Sequence, residues 1–145
     1  MSLLSSISVS ASGMSAERER AEVLVENIAN ADTTRTPEGG PYRRRDVVFQ
    51  SDSVSSPFSS VFQGQMDFQS KGVSVSDIIV DNSEPERRYM PGHPDADQNG
   101  YVAIPRVNPA QDMVDLLGAS RSYQANVSAI SAVKDMIQKS IDLFR

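Results

Sequence analysis

Residues 113–144 read MVDLLGASRSYQANVSAISAVKDMIQKSIDLF and set more of the architecture than any other segment of the chain. Apolar positions recur there at alternating intervals of three and four residues, which is the seam of a coiled-coil helix. No proline interrupts the pattern, and Asn108 followed by Pro109 supplies a helix start. The predicted seam consists of Met113, Leu116, Tyr123, Val127, Ile130, Ile137, Ile141 and Phe144, with Ser120 and Lys134 as polar members.

The N-terminal segment carries a second seam with the same spacing, interrupted by the charged Arg18. Its many serines and Gly13 lower the helix propensity, so we expect this helix to form only when it is packed. The simplest partner for each seam is the other one, which predicts a coiled-coil-like pair of terminal helices. The predicted members of this seam are Leu4, Ile7, Met14, Val25 and Ile28.

The middle of the chain has a different composition, because all eight prolines lie within residues 31–111. The β-prone runs at 46–50, 73–80 and 101–105 predict short strands, and the serine-rich residues 51–63 predict a flexible loop. The predicted fold class is therefore α+β, with a small irregular β-rich insert between the two helices. The predicted organisation is an N-terminal helix over 1–30, the insert over 31–108 and a C-terminal helix over 109–145.

The run NIANAD at 27–32 breaks the first seam with polar residues. Such residues tolerate helix ends and bond to nearby backbone groups. We therefore predict a joint at which the chain leaves the helical layer for the insert. The residues of this predicted helix exit are Asn27, Ala29, Asn30, Asp32 and Thr33.

Composition narrows the possible functions of the 145-residue chain. It has no cysteine and one histidine, which excludes disulfides, thiolate metal sites and cysteine nucleophiles. The net charge of −5 argues against nucleic acid as a partner, and no phosphate-binding or hydrolase motif is present. The N-terminus lacks the basic and apolar regions of a secretory signal, so we expect any export to use another route. We expect no enzymatic activity and no cofactor.

The loop DADQNG at 95–100 is the one candidate metal site. Asp95, Asp97 and Asn99 match the first half of a calcium loop, but Arg106 stands where the last carboxylate ligand belongs. The favoured interpretation is a tight turn in which Gly100 has a positive φ, and a calcium-binding module remains the alternative. His93 beside Asp95 is better explained as a rigid loop residue than as part of a hydrolase site.

The cluster Tyr42, Arg43, Arg44 and Arg45 forms a local basic patch in an acidic chain. Arginines can bind phosphate, but alternation along a strand would divide this patch between two faces. We therefore predict that these residues contact an acidic protein neighbour. Seam faces left over after the helices pair can continue into neighbouring subunits, which suits a filament subunit, although an adaptor module would show similar seams.

Two segments together carry a family resemblance. Ala29, Asn30 and Thr33 match the A-N-x-x-T signature after the first helix of bacterial flagellar axial proteins, and residues 89–130 extend the likeness. The chain resembles the C-type proximal rod proteins of the flagellar basal body. The resemblance implies a structural subunit of the periplasm-spanning rod, which transmits torque and surrounds the export channel.

The same resemblance implies export by the flagellar type III apparatus without a cleaved signal peptide. It also implies hetero-oligomeric assembly with other rod proteins, with copies of the same chain, and with basal-body ring and adaptor proteins. Nucleic acid and lipid are not expected as direct partners.

Overall fold

The computed structural model describes residues 3–53 and 71–143 and has the predicted α+β architecture. Along the chain, a long helix is followed by four strands and then by a second long helix. The four strands form two separate two-stranded sheets. The elements are α1 (Leu3–Ala29), β1 (Arg45–Ser53), β2 (Lys71–Val80), β3 (Glu86–Tyr89), β4 (Tyr101–Ile104) and α2 (Pro109–Leu143).

The two helices pack in antiparallel directions. A Cβ atom at Gly13 of α1 would lie 3.2 Å from Nδ2 of Asn126 in α2, so the helices approach closely there. The other end of α1 lies near the start of α2, where Asn108 caps the helix by accepting a bond from Ala110 N at 3.2 Å. The predicted N-cap is confirmed.

The inward-facing side of α2 consists of some members of the predicted seam and of residues that directly precede other members. Three residues of the predicted seam, Leu116, Ile130 and Ile137, are half-buried. The other inward positions precede predicted seam members by one residue; they are Asp112, Ala119, Asn126 and Val133. Small and polar side chains at these positions permit close approach to α1, whereas larger neighbours are left outside. The exposed members of the predicted seam are Met113 (53%), Tyr123 (40%), Val127 (45%) and Ile141 (57%).

The seam of α1 divides in a similar way. Ile7, Met14 and Ile28 are half-buried, whereas Val25 is 52% exposed. The buried apolar positions of α1 are Ala16, Val23 and Leu24. The side chains of Leu4 and Phe144 lie outside the described residues.

Strands β1 and β2 form an antiparallel hairpin from Arg45 opposite Val80 to Ser53 opposite Lys71, with a register shift between Val48 and Phe49. The predicted strands at 46–50 and 73–80 lie within it. The prediction of a loop over 51–63 is wrong for residues 51–53, which continue β1, and residues 54–63 lie outside the described part.

The second sheet pairs β3 with β4, from Glu86 opposite Ile104 to Tyr89 opposite Tyr101. Strand β4 was predicted by its apolar residues, whereas β3 was not predicted. The sequence of β3 is ERRY and every one of its residues is exposed, so it lacks the apolar alternation that indicates a half-buried strand.

Helix α1 lies at the centre of the molecule, since it contacts α2, β1 and β2. The β1–β2 hairpin crosses it diagonally. At one end Asn27 of α1 bonds to β1 at Arg45, and at the other Ser12 of α1 accepts a bond from Val73 N of β2 at 3.1 Å. In the described ranges, neither helix is long and apolar enough to cross a membrane.

The turn before β4 gives a test of the fold. Gly100 has a φ of 79°, and a Cβ atom there would lie 2.9 Å from Cε2 of Tyr89. Gly100→Ala should therefore lower the free energy of unfolding by about 1–3 kcal/mol, measured by urea denaturation. Gly92→Ala is the matched control, because nothing lies within 4 Å of a Cβ atom at that position. Equal stability of the two variants would contradict the strained-turn interpretation.

Candidate functional site at the joint between helices and insert

Asn27 is fully buried and joins α1 to the first strand. Its Nδ2 donates to Arg45 O at 2.8 Å, and its Oδ1 accepts from Arg45 N at 3.0 Å. The side chain thus bonds to both backbone groups of Arg45, as a neighbouring strand would. Tyr42 Oη donates to the same Oδ1 at 3.0 Å. Asn27 lies inside α1 rather than at the helix exit, and its contacts hold the insert.

The end of α1 is formed by Asn30 and Thr33. Asn30 donates twice to Glu26 O, from its backbone N at 3.1 Å and from Nδ2 at 2.9 Å. Thr33 donates to Asn30 through its backbone N at 3.0 Å and through Oγ1 at 3.2 Å. These bonds satisfy carbonyl groups that a helix end leaves free. Of the remaining predicted exit residues, Ala29 is the last helical residue and Asp32 is exposed.

Tyr42 and Arg45 form a compact group with Glu26. Arg45 Nη1 lies 3.0 Å from Glu26 Oε1, and its guanidinium carbon lies 5.9 Å from the centroid of the Tyr42 ring. Tyr42 N also donates to Thr33 O at 3.0 Å, which ties the loop back to the helix exit. Burial raises the pKa of the Tyr42 phenol, and the Glu26 carboxylate raises it further.

Arg44 links the insert to the start of α2. Its Nη2 and Nε donate to Oδ1 of Asp112 at 2.9 and 3.3 Å, and its Nη1 donates to Asp46 Oδ2 at 2.6 Å. Burial lowers the pKa of Arg44, but its bond to Asp112 and the nearby carboxylates raise the pKa by more. Asp112 is fully buried in the first turn of α2, where the helix dipole also favours a negative charge.

Two of the three arginines therefore form ion pairs with carboxylates of the same chain. Arg44 and Arg45 bind carboxylates on α2, β1 and α1, because the fold brings the end of α1 and the start of α2 to the same place. Arg43 alone is exposed, and its Nη1 donates to Asn82 Oδ1 at 2.7 Å. The sequence identified the three basic residues but not their partners Glu26, Asp46 and Asp112; a carboxylate in the first turn of α2 was the only signal.

The DADQNG loop is organised by its own hydrogen bonds. Asp97 Oδ1 accepts from Asn99 N at 2.8 Å and from Tyr101 N at 2.9 Å, which gives the tight turn that the positive φ of Gly100 requires. Asp95 Oδ2 accepts from Thr34 Oγ1 at 2.8 Å.

The described residues around this loop do not form a metal-binding group. His93 Nδ1 accepts from Asp95 N at 3.2 Å. Within residues 3–53 and 71–143, no group of three His, Cys, Asp or Glu residues could hold a metal ion. The loop forms the turn that leads into β4.

Comparison with known proteins places these features in a family. The family model described as "Flagella basal body rod protein" matches residues 7–35, which contain most of α1, Asn27 and the helix exit. The model described as "Flagellar basal body rod FlgEFG protein C-terminal" matches residues 98–143, which contain β4 and α2. The chain is thus a structural subunit of the bacterial flagellar rod, not an enzyme.

Whole-chain relatives narrow the family further. The chain is 43% identical to the flagellar basal-body rod protein FlgC of Bacillus subtilis, over 99% of both chains. It is 39% identical to that of Borreliella burgdorferi, over 100% of this chain and 99% of the relative, and 37% identical to that of Salmonella typhimurium, over 99% and 98%. The chain belongs to the FlgC family, and its place is the rod of the basal body.

Replacement of Asn27 tests the joint directly. Asn27→Ala leaves the N–H and C=O groups of Arg45 without their partner in a buried site, at a cost of about 1–3 kcal/mol for each unpaired group. Urea unfolding of the full chain should therefore show a loss of about 2–6 kcal/mol. Asn30→Ala is the matched control and should cost roughly 1 kcal/mol, since Asn30 is only half-buried whereas Asn27 is fully buried. Similar losses in both variants would refute the special role of Asn27.

The raised pKa of Tyr42 makes a prediction about alkaline stability. Because folding favours the neutral phenol, the stabilisation is fully present below the ordinary tyrosine pKa of about 10 and is lost as the pH rises through the higher pKa of the folded state. Unfolding measured against pH should show this loss in the unmodified chain. The loss should disappear in Tyr42→Phe and persist in Tyr89→Phe, whose ring is 63% exposed.

Proposed function

We propose that the antiparallel helix pair forms the inner layer of the rod and that the insert lies outside it and contacts neighbouring subunits. The support is the apolar surface that the single chain leaves exposed on α2. Large contiguous apolar patches on a soluble protein mark interaction sites. The exposed large apolar residues of α2 on the side of Val127, within about 80° of it around the helix, are Met113, Leu117, Tyr123 and Ile141, whereas Val114, Met136 and Leu143 are exposed on another side and are not part of this surface.

The partners in this proposal are copies of the chain, other rod proteins, and the ring and adaptor proteins of the basal body. When the exposed face of α2 meets a different patch on the neighbouring subunit, the contact is heterologous, and heterologous contacts that do not close into a ring build open helical assemblies. Such an assembly surrounds a central export channel and spans the periplasm. The proposal includes export by the flagellar type III apparatus without a cleaved signal peptide, and its support is membership of the flagellar rod family.

Torque transmission requires that the insert does not rotate freely on the helices. The joint supplies two separate attachments, from Asn27 of α1 to Arg45 and from Asp112 of α2 to Arg44. Because both attachments lie next to each other at the start of β1, the strand is anchored to both helices at once. This arrangement suits a subunit that carries mechanical load between its inner and outer layers.

The exposed face of α2 provides the decisive test. Val127 is 45% exposed, so Val127→Asp should leave the folding of the insert unchanged, yet it should abolish incorporation into basal bodies and swimming. Ile130→Asp should also abolish swimming, but with a loss of stability, because Ile130 is half-buried against α1.

Ala132→Asp is the matched control for Val127→Asp. It introduces the same charge at an exposed position roughly 140° around the helix from Val127. Cells with this variant should swim. Normal motility and rod assembly in the Val127→Asp strain would show that the exposed face of α2 is not an interface.

A further inference from the structure

The outer edge of β2 is apolar and exposed at one end of the hairpin. Ile78, Ile79 and Val80 are 45%, 55% and 38% exposed. Among the described strands, β2 pairs only with β1, so its other edge has backbone groups available to a further strand. An exposed apolar edge is a template for pairing with another chain.

The contacts of Arg45 establish which backbone groups face outward. Arg45 lies opposite Val80, but both of its backbone groups bond to Asn27 rather than to β2. In an antiparallel pair such residues form a non-hydrogen-bonded pair, so the N–H and C=O of Val80 also point away from β1. The backbone groups of Ile78, two residues earlier, also point outward; its N–H donates to Asp77 Oδ1 at 2.8 Å, and an added strand would replace that local bond.

Helix α1 does not cover this part of the edge. At the Val80 end of the hairpin, α1 bonds to β1 through Asn27, so β2 lies on the side away from the helix. The bond from Val73 N to Ser12 covers the edge of β2 only at the opposite end. The free edge at residues 78–80 is therefore a consequence of the diagonal crossing.

The second sheet offers a complementary edge. Every residue of β3 is exposed, and among the described strands it pairs only with β4. Met90 N donates to Gly100 O at 2.8 Å, so by alternation the backbone groups of Tyr89 and Arg87 face away from β4. A two-stranded sheet of this size is marginal by itself, and an added strand would stabilise it.

Charge favours pairing between these two edges. Asp77 and Asp81 flank the apolar end of β2, whereas β3 carries Arg87 next to the 63% exposed Tyr89, and Arg88 of β3 lies 3.9 Å from Glu86 of the same strand. Opposite charges and aromatic–aliphatic pairs across strands are favourable. Within one chain the two strands belong to separate sheets, with residues 81–85 between them, so the complementary edges are left for different copies.

We propose that the edge of β2 at residues 78–80 pairs with the edge of β3 at residues 87–89 of a second copy of the chain. The proposal rests on the proposed function as a rod subunit. The contact is heterologous and therefore propagates from copy to copy, with one sheet extending across each subunit boundary.

The absence of cysteine from the chain permits a direct test. Chains that carry Val80→Cys together with either Arg87→Cys or Tyr89→Cys are expressed in place of the unmodified chain, and basal bodies are isolated and mildly oxidised. One of these pairs should give disulfide-linked dimers and higher multimers, because adjacent strands place facing Cβ atoms within disulfide range. Chains with a single cysteine should give none.

The matched control pairs Ser51→Cys with each of the same β3 cysteines. Ser51 lies opposite Val73, whose N–H points outward to Ser12, so Ser51 lies on the free edge of β1 in an equivalent backbone setting. Multimers from this control at the level of the Val80 pairs would overturn the proposal. So would rods that contain the chain but yield no multimers, and in that case the rod function stands.

Two other outcomes are also decisive. A chain that is absent from isolated basal bodies overturns the proposed function and this contact with it. Capture of Val80→Cys by a different basal-body protein overturns the choice of a second copy. An independent variant is Val80→Pro, which removes only an outward-facing N–H; it should abolish swimming, whereas Ser51→Pro should not.

Discussion

The two hydrogen bonds between the Asn27 side chain and the backbone of Arg45 hold the insert on the helices. They are made inside α1, where a fully buried amide must find partners for its donor and its acceptor. Because both partners are backbone groups of Arg45, the amide fixes where the strand begins. The position of Tyr42, the crossing of the hairpin over α1 and the free end of β2 all follow from that choice.

The charged groups around this amide restrict the orientation of the first strand more than they stabilise the fold. A buried ion pair such as Arg44 with Asp112 loses much of its attraction to desolvation, and Oδ2 of Asp112 has no hydrogen-bond partner in the described part of the chain. The fork geometry of arginine nonetheless restricts how the first strand can sit against α2. A rod subunit benefits from such restriction, since load passes between its layers through a joint with one geometry.

The division of α2 into two faces connects the fold to assembly. Its inner face uses Ala119 and Asn126 to let α1 approach, and its outer face keeps Met113 and Val127 exposed. A helix whose apolar band is wider than one seam can pack against its own chain and still offer a surface to another. Family membership agrees with this arrangement, because the matched segments contain most of α1, including Asn27, and all of α2.

Helix spacing, the Asn108 cap and the β-branched runs were enough to predict the two helices, β1, β2, β4 and the positive φ of Gly100. These features depend on neighbours in sequence, which a single chain displays directly. Strand β3 was missed because ERRY has no buried face, and Asn27 was assigned to a helix exit because its partner lies 18 residues away. The sequence also did not show which residues of α2 face inward. Whether Asp112 or Met113 is buried depends on Arg44, a residue that only folding brings to the start of the helix.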